Sequence, residues 1–176
     1  MRSMFITPCI LVALALGAPA CATDRVTTSP AGATSAASVA VEPEPSEFTK
    51  PIGDTVTYAS GSTVQVSNLQ PYRPSSSAAG TGEGSRYLVV DVTIKNGNAE
   101  PFDTALLSVG ATCDGAAASA IYDSAKNIMG FPQTQLQPGK TATGKAVFGV
   151  QQNCGELQVE VRPSFGSETA VFTSAL

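Results

Sequence analysis

Histidine is missing from the 176 residues, and so is tryptophan. Without imidazole the chain cannot build a Ser-His-Asp or Cys-His nucleophile, a His-ligated zinc site, a type 1 copper centre or a His-bound non-haem iron. Carboxylate, lysine and tyrosine chemistry stay open. Charge is scarce as well: 14% of residues are Asp, Glu, Lys or Arg, and the formal net charge is −4. A nucleic-acid partner needs a basic face, as does adhesion to anionic lipid or wall polymers, and this balance argues against both. Long apolar runs are missing too. The stretch from Phe5 to Leu16 covers only about a dozen residues, where a membrane-crossing helix needs about 20.

What that stretch does suit is export. Met1-Arg2 supplies a positive start, Phe5–Leu16 an apolar centre, and Gly17-Ala18-Pro19-Ala20 small residues before Cys21, the pattern of a secretory signal over residues 1–20. Three readings of the cleavage region follow. Ala18-Pro19-Ala20-Cys21 resembles a bacterial lipobox, although Ala stands where Leu is usual and Pro is an uncommon neighbour. Alternatively, Ala18-x-Ala20 is an ordinary signal-peptidase site, or cleavage falls after Ala22. The cysteines help to choose. Cys9 leaves with the signal and Cys113 can pair with Cys154, so Cys21 is the odd thiol of an exported chain unless it is acylated. Cys21 is therefore the expected lipidation site, on the outer face of the cytoplasmic membrane, with plain secretion as the alternative.

Residues 21–50 form the expected linker. They are rich in Ala, Ser, Thr, Pro and acids, with Val39-Ala40-Val41 as the one apolar cluster. Such a segment buries too little surface to offset the entropy of ordering it, so disorder is predicted. As a flexible spacer it spans about 30 Å, and about 95 Å when extended.

From residue 51 to 176 the pattern changes to short alternating runs between turn signals, which predicts an all-β fold. Thr55–Tyr58 and Thr63–Val66 flank a Ser60-Gly61 turn. A Ser- and Gly-rich loop runs from Pro71 to Ser85. In Arg86–Lys95, Leu88, Val90, Val92 and Ile94 share one face while Tyr87, Asp91 and Thr93 share the other. That period of two marks a half-buried strand, ended by Asn96-Gly97-Asn98. Further runs are Thr104–Thr112, Ser119–Tyr122, Lys140–Val150, Leu157–Val161 and Ala170–Thr173, with a helical turn at Ser124–Met129. About seven to nine strands of this kind predict an immunoglobulin-like antiparallel β-sandwich. In an oxidising compartment Cys113 and Cys154 are read as a disulfide, which would add roughly 3–4 kcal/mol by closing a loop of about 40 residues. A redox-active or metal-binding pair is the alternative.

Several landmarks then align: the Arg86–Asn96 strand, the Leu136-Gln137-Pro138-Gly139-Lys140-Thr141 turn, the Gly144–Val150 strand, Cys113-Asp114-Gly115 between them, and Leu157-Gln158-Val159 beyond. Over residues 52–174 this resembles the immunoglobulin-like domain of unknown function found in lipoproteins of Gram-positive bacteria, including actinobacteria. That fold is similar to one of a secreted mycobacterial immunoprotective antigen. The resemblance implies a β-sandwich and brings no catalytic constellation, so no catalytic, cofactor or metal residues are assigned.

Asp91 reads as a solvated charge. Asp103, Asp114 and Asp123 could gather around calcium, but lack Ca-loop spacing. Glu156 and Glu160 share a strand face without the cleft a glycosidase needs. Gly80-Thr81-Gly82-Glu83-Gly84 lacks the Lys-Ser/Thr of a phosphate loop. Tyr72, Arg73 and Tyr87 are the candidate partner-contact residues, because aromatic and Arg side chains dominate interfaces, with loop anchoring as the plainer role. The expected function is a non-enzymatic envelope domain that binds an extracellular protein or envelope component. A small-ligand or metal-binding protein with a pocket at one end of the sandwich is the alternative, and a wall-glycan hydrolase a distant third.

Overall fold

The computed structural model describes residues 46–82, 85–164 and 167–176; the leader, Cys21 and the linker up to residue 45 lie outside them. In chain order the first six strands are β1 (Thr49–Pro51), β2 (Thr55–Thr57), β3 (Thr63–Pro71), β4 (Ser85–Lys95), β5 (Phe102–Asp103) and β6 (Ser108–Cys113). The rest are β7 (Ala116–Ala117), β8 (Ser119–Ile121), β9 (Gln135–Leu136), β10 (Thr141–Gln151), β11 (Glu156–Arg162) and β12 (Ala170–Ala175). One sheet runs β1-β12-β11-β6-β7 and the other β2-β3-β4-β10-β8, with β5-β9 as a separate ribbon. The fold is the expected β-sandwich.

Its centre follows from the alternation. Leu88, Val90, Val92 and Ile94 of β4 are buried against Phe148 of β10 and against Leu157, Val159, Val161, Ala170 and Phe172 of the facing sheet. Each such side chain contributes about 1.5–3 kcal/mol on leaving water. β4 and β10 pair without interruption from Lys95↔Thr141 to Ser85↔Gln151. β3 holds β4 on its other side, with a bulge between Ser67 and Gln70 where Asn68 adopts φ +53°. The Cys113–Cys154 disulfide joins the end of β6 to the turn after β10, with Cα atoms 5.8 Å apart.

Several expectations are corrected. The run from Thr104 begins as a 3-10 turn, Thr104–Leu106, capped by Asp103 Oδ1 on Ala105 N–H at 2.9 Å; the strand starts only at Ser108. Thr104 itself is buried, its hydroxyl donating to Pro132 O (2.7 Å) and accepting from Thr134 N–H (2.7 Å). β1 begins at Thr49, two residues before the expected domain start, because β12 presents it a parallel partner. Asn96 is more than a turn residue. It is buried, with its amide donating to Glu100 O and Leu136 O and its Oδ1 accepting from Asn98 N–H. Beside it Gly97 approaches the Gly61 backbone so closely that a Cβ would sit 2.0 Å from Gly61 C.

Candidate functional site

The structure's most developed local chemistry lies on the outer side of β4, β10 and β8. There the loop after β3 folds back as a roof. Tyr72 N–H donates to Tyr87 O, and Ala79 and Tyr122 exchange backbone hydrogen bonds at 2.8 and 3.1 Å. Under this roof Ile121, Ile128 and Val147 are buried, with Tyr72, Ala78, Tyr87 and Val89 packed around them. The Tyr87 hydroxyl donates to Gly82 O at 2.7 Å. The Ser- and Gly-rich loop is thus fastened by backbone and side-chain bonds between Tyr72 and Gly82, and its main fastening is Asp123.

Asp123 has no exposed surface, yet its carboxylate is fully served. It accepts from Ser75 Oγ (2.6 Å), Ser75 N–H (2.8 Å) and the Tyr72 hydroxyl (2.7 Å). These bonds, the Ser75 hydroxyl foremost, hold it down at about 2 against the upward pull of burial, with help from the nearby Lys126 charge. Lys126 donates to Arg73 O at 2.6 Å and stands 4.9 Å from the centre of the Tyr72 ring. Burial, then the bond to Asp123 and its charge, push Tyr72 up to about 12. No signal in the sequence identified Asp123 as a buried anchor, since its partners are 48 and 51 residues away.

A cleft opens beside the roof. β8 pairs with β10 only at Val147–Gly149, and β7 pairs with β6 only at Thr112 and Cys113. The two sheets therefore part on this side, and Phe131 and Pro132 lie against the bare Cα of Gly144, where a Cβ would meet both rings at 2.8 Å. The resulting cavity measures about 280 Å³; Val92 and Phe148 line it with Leu107, Val109, Phe131 and Lys145. Tyr122, another lining residue, is 50% exposed; Leu106 and Met129, next in sequence to the lining residues Leu107 and Gly130, are 45% and 67% exposed. Sequence reading missed this site. The signal was the apolar Ile128-Met129-Gly130-Phe131 run, which fits no strand period.

Among the residues singled out from sequence, Tyr72 and Tyr87 are half-buried roof anchors, while Arg73 is exposed and gives its carbonyl to Lys126. Asp91 is half-buried rather than freely solvated: it pairs with Lys145 across the strands and accepts from Asn68 Nδ2 at 2.7 Å. Burial raises its carboxyl, but Asn68 and Lys145 outweigh that and hold it below the ordinary range. Asp103, Asp114 and Asp123 do not form a common cluster among the described residues. Asp114 instead caps Gly155 and Glu156 N–H groups, each at 2.9 Å. It does lie near both cysteine sulfurs, but those sulfurs are bonded to each other and are not free ligands. Glu156 and Glu160 lie on the outer face of β11, alternating with buried Leu157, Val159 and Val161. Glu83 and Gly84 lie outside the described residues.

With the fold and its clefts in view, residues 51–171 match a family model described as a domain of unknown function (DUF4352). No curated protein matches the chain. The yjhA protein of Bacillus subtilis superposes with a TM-score of 0.58 at 11% identity, covering 70% of this chain and 97% of that one. A candidate lipoprotein, ycdA, of Bacillus subtilis subsp. subtilis str. 168 gives 0.55 at 16% identity; the match covers 65% of this chain and 36% of that one, so the chain spans about a third of its length. The secreted protein MPT63 of Mycobacterium tuberculosis gives 0.44 at 18% identity, covering 72% and 96%. At these identities the likeness is one of fold.

Proposed function

The chain belongs to the DUF4352 family of domains of unknown function, and from that premise we propose that it is an exported, non-enzymatic binding domain of the cell envelope, held at the outer face of the membrane by a lipid on Cys21. The observation that carries this reading is the Cys113–Cys154 disulfide. Such bonds persist in oxidising compartments and are rare in reducing ones. The leader over residues 1–20 and the polar segment behind Cys21 point the same way.

The non-enzymatic part draws on what the acids do. Asp91, Asp103, Asp114 and Asp123 are each engaged by structural donors, and Glu156 and Glu160 stand on a sheet face. None of these six acids is a lining residue of the cavity beside the roof. The small-ligand reading is favoured by one observation of its own, the 280 Å³ cavity between the sheets, whose size is near the lower end of ligand pockets, about 300 Å³. In the second reading the binding partner is therefore a small molecule in that cavity and not a protein on the surface.

Fractionation of the native host followed by mass spectrometry tests the proposal. The expected result is a membrane-associated chain beginning at an acylated Cys21, with Cys113 and Cys154 oxidised. Recovery of the chain in the cytosol with both thiols reduced would overturn it.

A further inference from the structure

The cavity has a chemical bias. Nine of its thirteen lining residues have apolar side chains, Val92, Val109, Phe131 and Phe148 among them, while hydroxyl, ammonium and backbone atoms give the rest of its surface a polar character. No acidic residue contributes to it, and Lys145 is its single charged residue. The lips carry hydroxyls from Ser108 and Tyr122. Lys145 gives one bond to Asp91 but leaves 58% of its side chain exposed, so the ammonium keeps donors for another acceptor. Acids are more numerous than bases in the whole chain, 14 against 10, so an acid-free lining with one lysine runs against the average.

A second, independent feature marks the same place. The described residues include four exposed large apolar side chains, Leu106, Tyr122, Met129 and Leu176. Three of them line the cavity or adjoin its lining residues in sequence. Tyr122 alone of the four is itself a lining residue, and a large, half-exposed aromatic ring on a cavity wall suits a ligand site.

We infer that this cleft binds a single-chain amphiphile with an anionic head, its tail between the sheets and its carboxylate at Lys145. The inference deepens the small-ligand reading above and rests on it. At roughly 30 Å³ per heavy atom, a water's share of liquid volume, the cavity of about 280 Å³ holds about nine atoms, which sets the tail at medium length. Charge complementarity selects the head: a lining whose one charged residue is a lysine, bonded to Asp91 yet largely exposed, favours carboxylate over alcohol and disfavours an ammonium.

The test uses the full chain carrying Cys21→Ser, so that no attached acyl group competes, titrated with decanoate, decanol and decylammonium below their micellar concentrations. Amide chemical shifts are followed by NMR. Decanoate is expected to shift Val109, Ile121, Phe131 and Ala146 saturably, decanol to bind at least about fivefold more weakly, and decylammonium least. Lys145→Gln should weaken decanoate about tenfold, the order of one partly hydrated charge-assisted bond. Asp91→Asn, which releases the ammonium from its partner, should strengthen it about two- to threefold. Ala120→Trp, at an exposed lining position, should block all three; Ser108→Phe does the same from the opposite lip if the first variant fails to fold. Equal binding of the three probes, or shifts that spread away from the cleft, would overturn the assignment. So would displacement of decanoate by an extended peptide with alternating apolar residues, which would make the free edge of β10 the true ligand surface. An exported, acylated chain that ignores decanoate sinks this inference and leaves the envelope reading standing.

Discussion

The two outer faces of the sandwich are finished in opposite ways. On the β12-β11-β6 side the face is bare: Thr112, Gln158, Glu160 and Thr173 stand half-exposed, and a Cβ added to Gly110 would meet nothing within 4 Å. On the β4-β10-β8 side a roof of loop covers a second small core, pinned by a buried aspartate. A polar strand face needs no cover, because water satisfies it. The roofed face carries Tyr87, Val89 and Val147, which gain by being covered. The loop's own polar groups must then be matched one by one, and Asp123 does this for Ser75 and Tyr72. Roof and bare face thus stand on different supports, the first on hydrogen bonds and the second on the shared core.

That contrast can be broken from the core outward. The largest effect is expected from Phe172→Ala, a fully buried ring behind the bare face. It should cost about 3–5 kcal/mol and unfold both sides together in urea. Next is the double substitution Cys113→Ala and Cys154→Ala, which removes the bond across 41 residues. A loss of roughly 3–4 kcal/mol is expected, with the unfolding midpoint falling and the slope rising, because the uncrosslinked unfolded chain exposes more surface.

Asp123→Ala should then separate the two faces. Hydrogen exchange is expected to accelerate at Ser75, Ala79, Tyr122 and Ile128 while β11 and β12 keep their protection. Equal acceleration everywhere would show the roof and the core to be one cooperative unit. The same pin sets a pH window. Asp123 titrates at about 2 in the folded chain, below its ordinary value, so its stabilisation is present above about pH 4 and is lost as pH falls through 2. Tyr72 is raised to about 12, so its contribution is complete below about pH 10 and is lost as pH rises through 12. Spectroscopic titration of the phenols should show Tyr72 and Tyr58 ionising late, since burial also raises Tyr58 to about 12. Asp123→Asn should bring Tyr72 down and leave Tyr58 in place. The smallest effect is expected on the bare face: Glu160→Gln should change stability by no more than about 0.5 kcal/mol in a thermal melt.

The sequence was most legible where its information was periodic. The alternation in Arg86–Lys95 and Leu157–Val161 announced both inner faces, and the nine strands of three or more residues among the described residues agree with the expected number. The disulfide could be read from cysteine arithmetic. The roof was not legible, because its bonds join Tyr72 and Ser75 to a residue about fifty positions away and Ser, Gly and Pro in the loop signal only irregular backbone. The cleft was hidden for a related reason: it exists because β7 and β8 stop short, and strand lengths are the least local property of a sheet. Tyr72, Arg73 and Tyr87 were singled out for side-chain type; Arg73 is exposed and the two tyrosines half-buried, while Tyr122 and Met129 are among the exposed large apolar side chains.

β1 adds only three residues to its sheet, yet it lies parallel to β12, the last strand. The chain therefore enters and leaves this pair at opposite ends. A pull between the two termini slides the strands along each other instead of peeling them apart. The bonds from Val171 N–H to Phe48 O and from Ile52 N–H to Thr173 O are then loaded together, as in a lap joint. A short strand arranged in this way resists traction better than its length suggests.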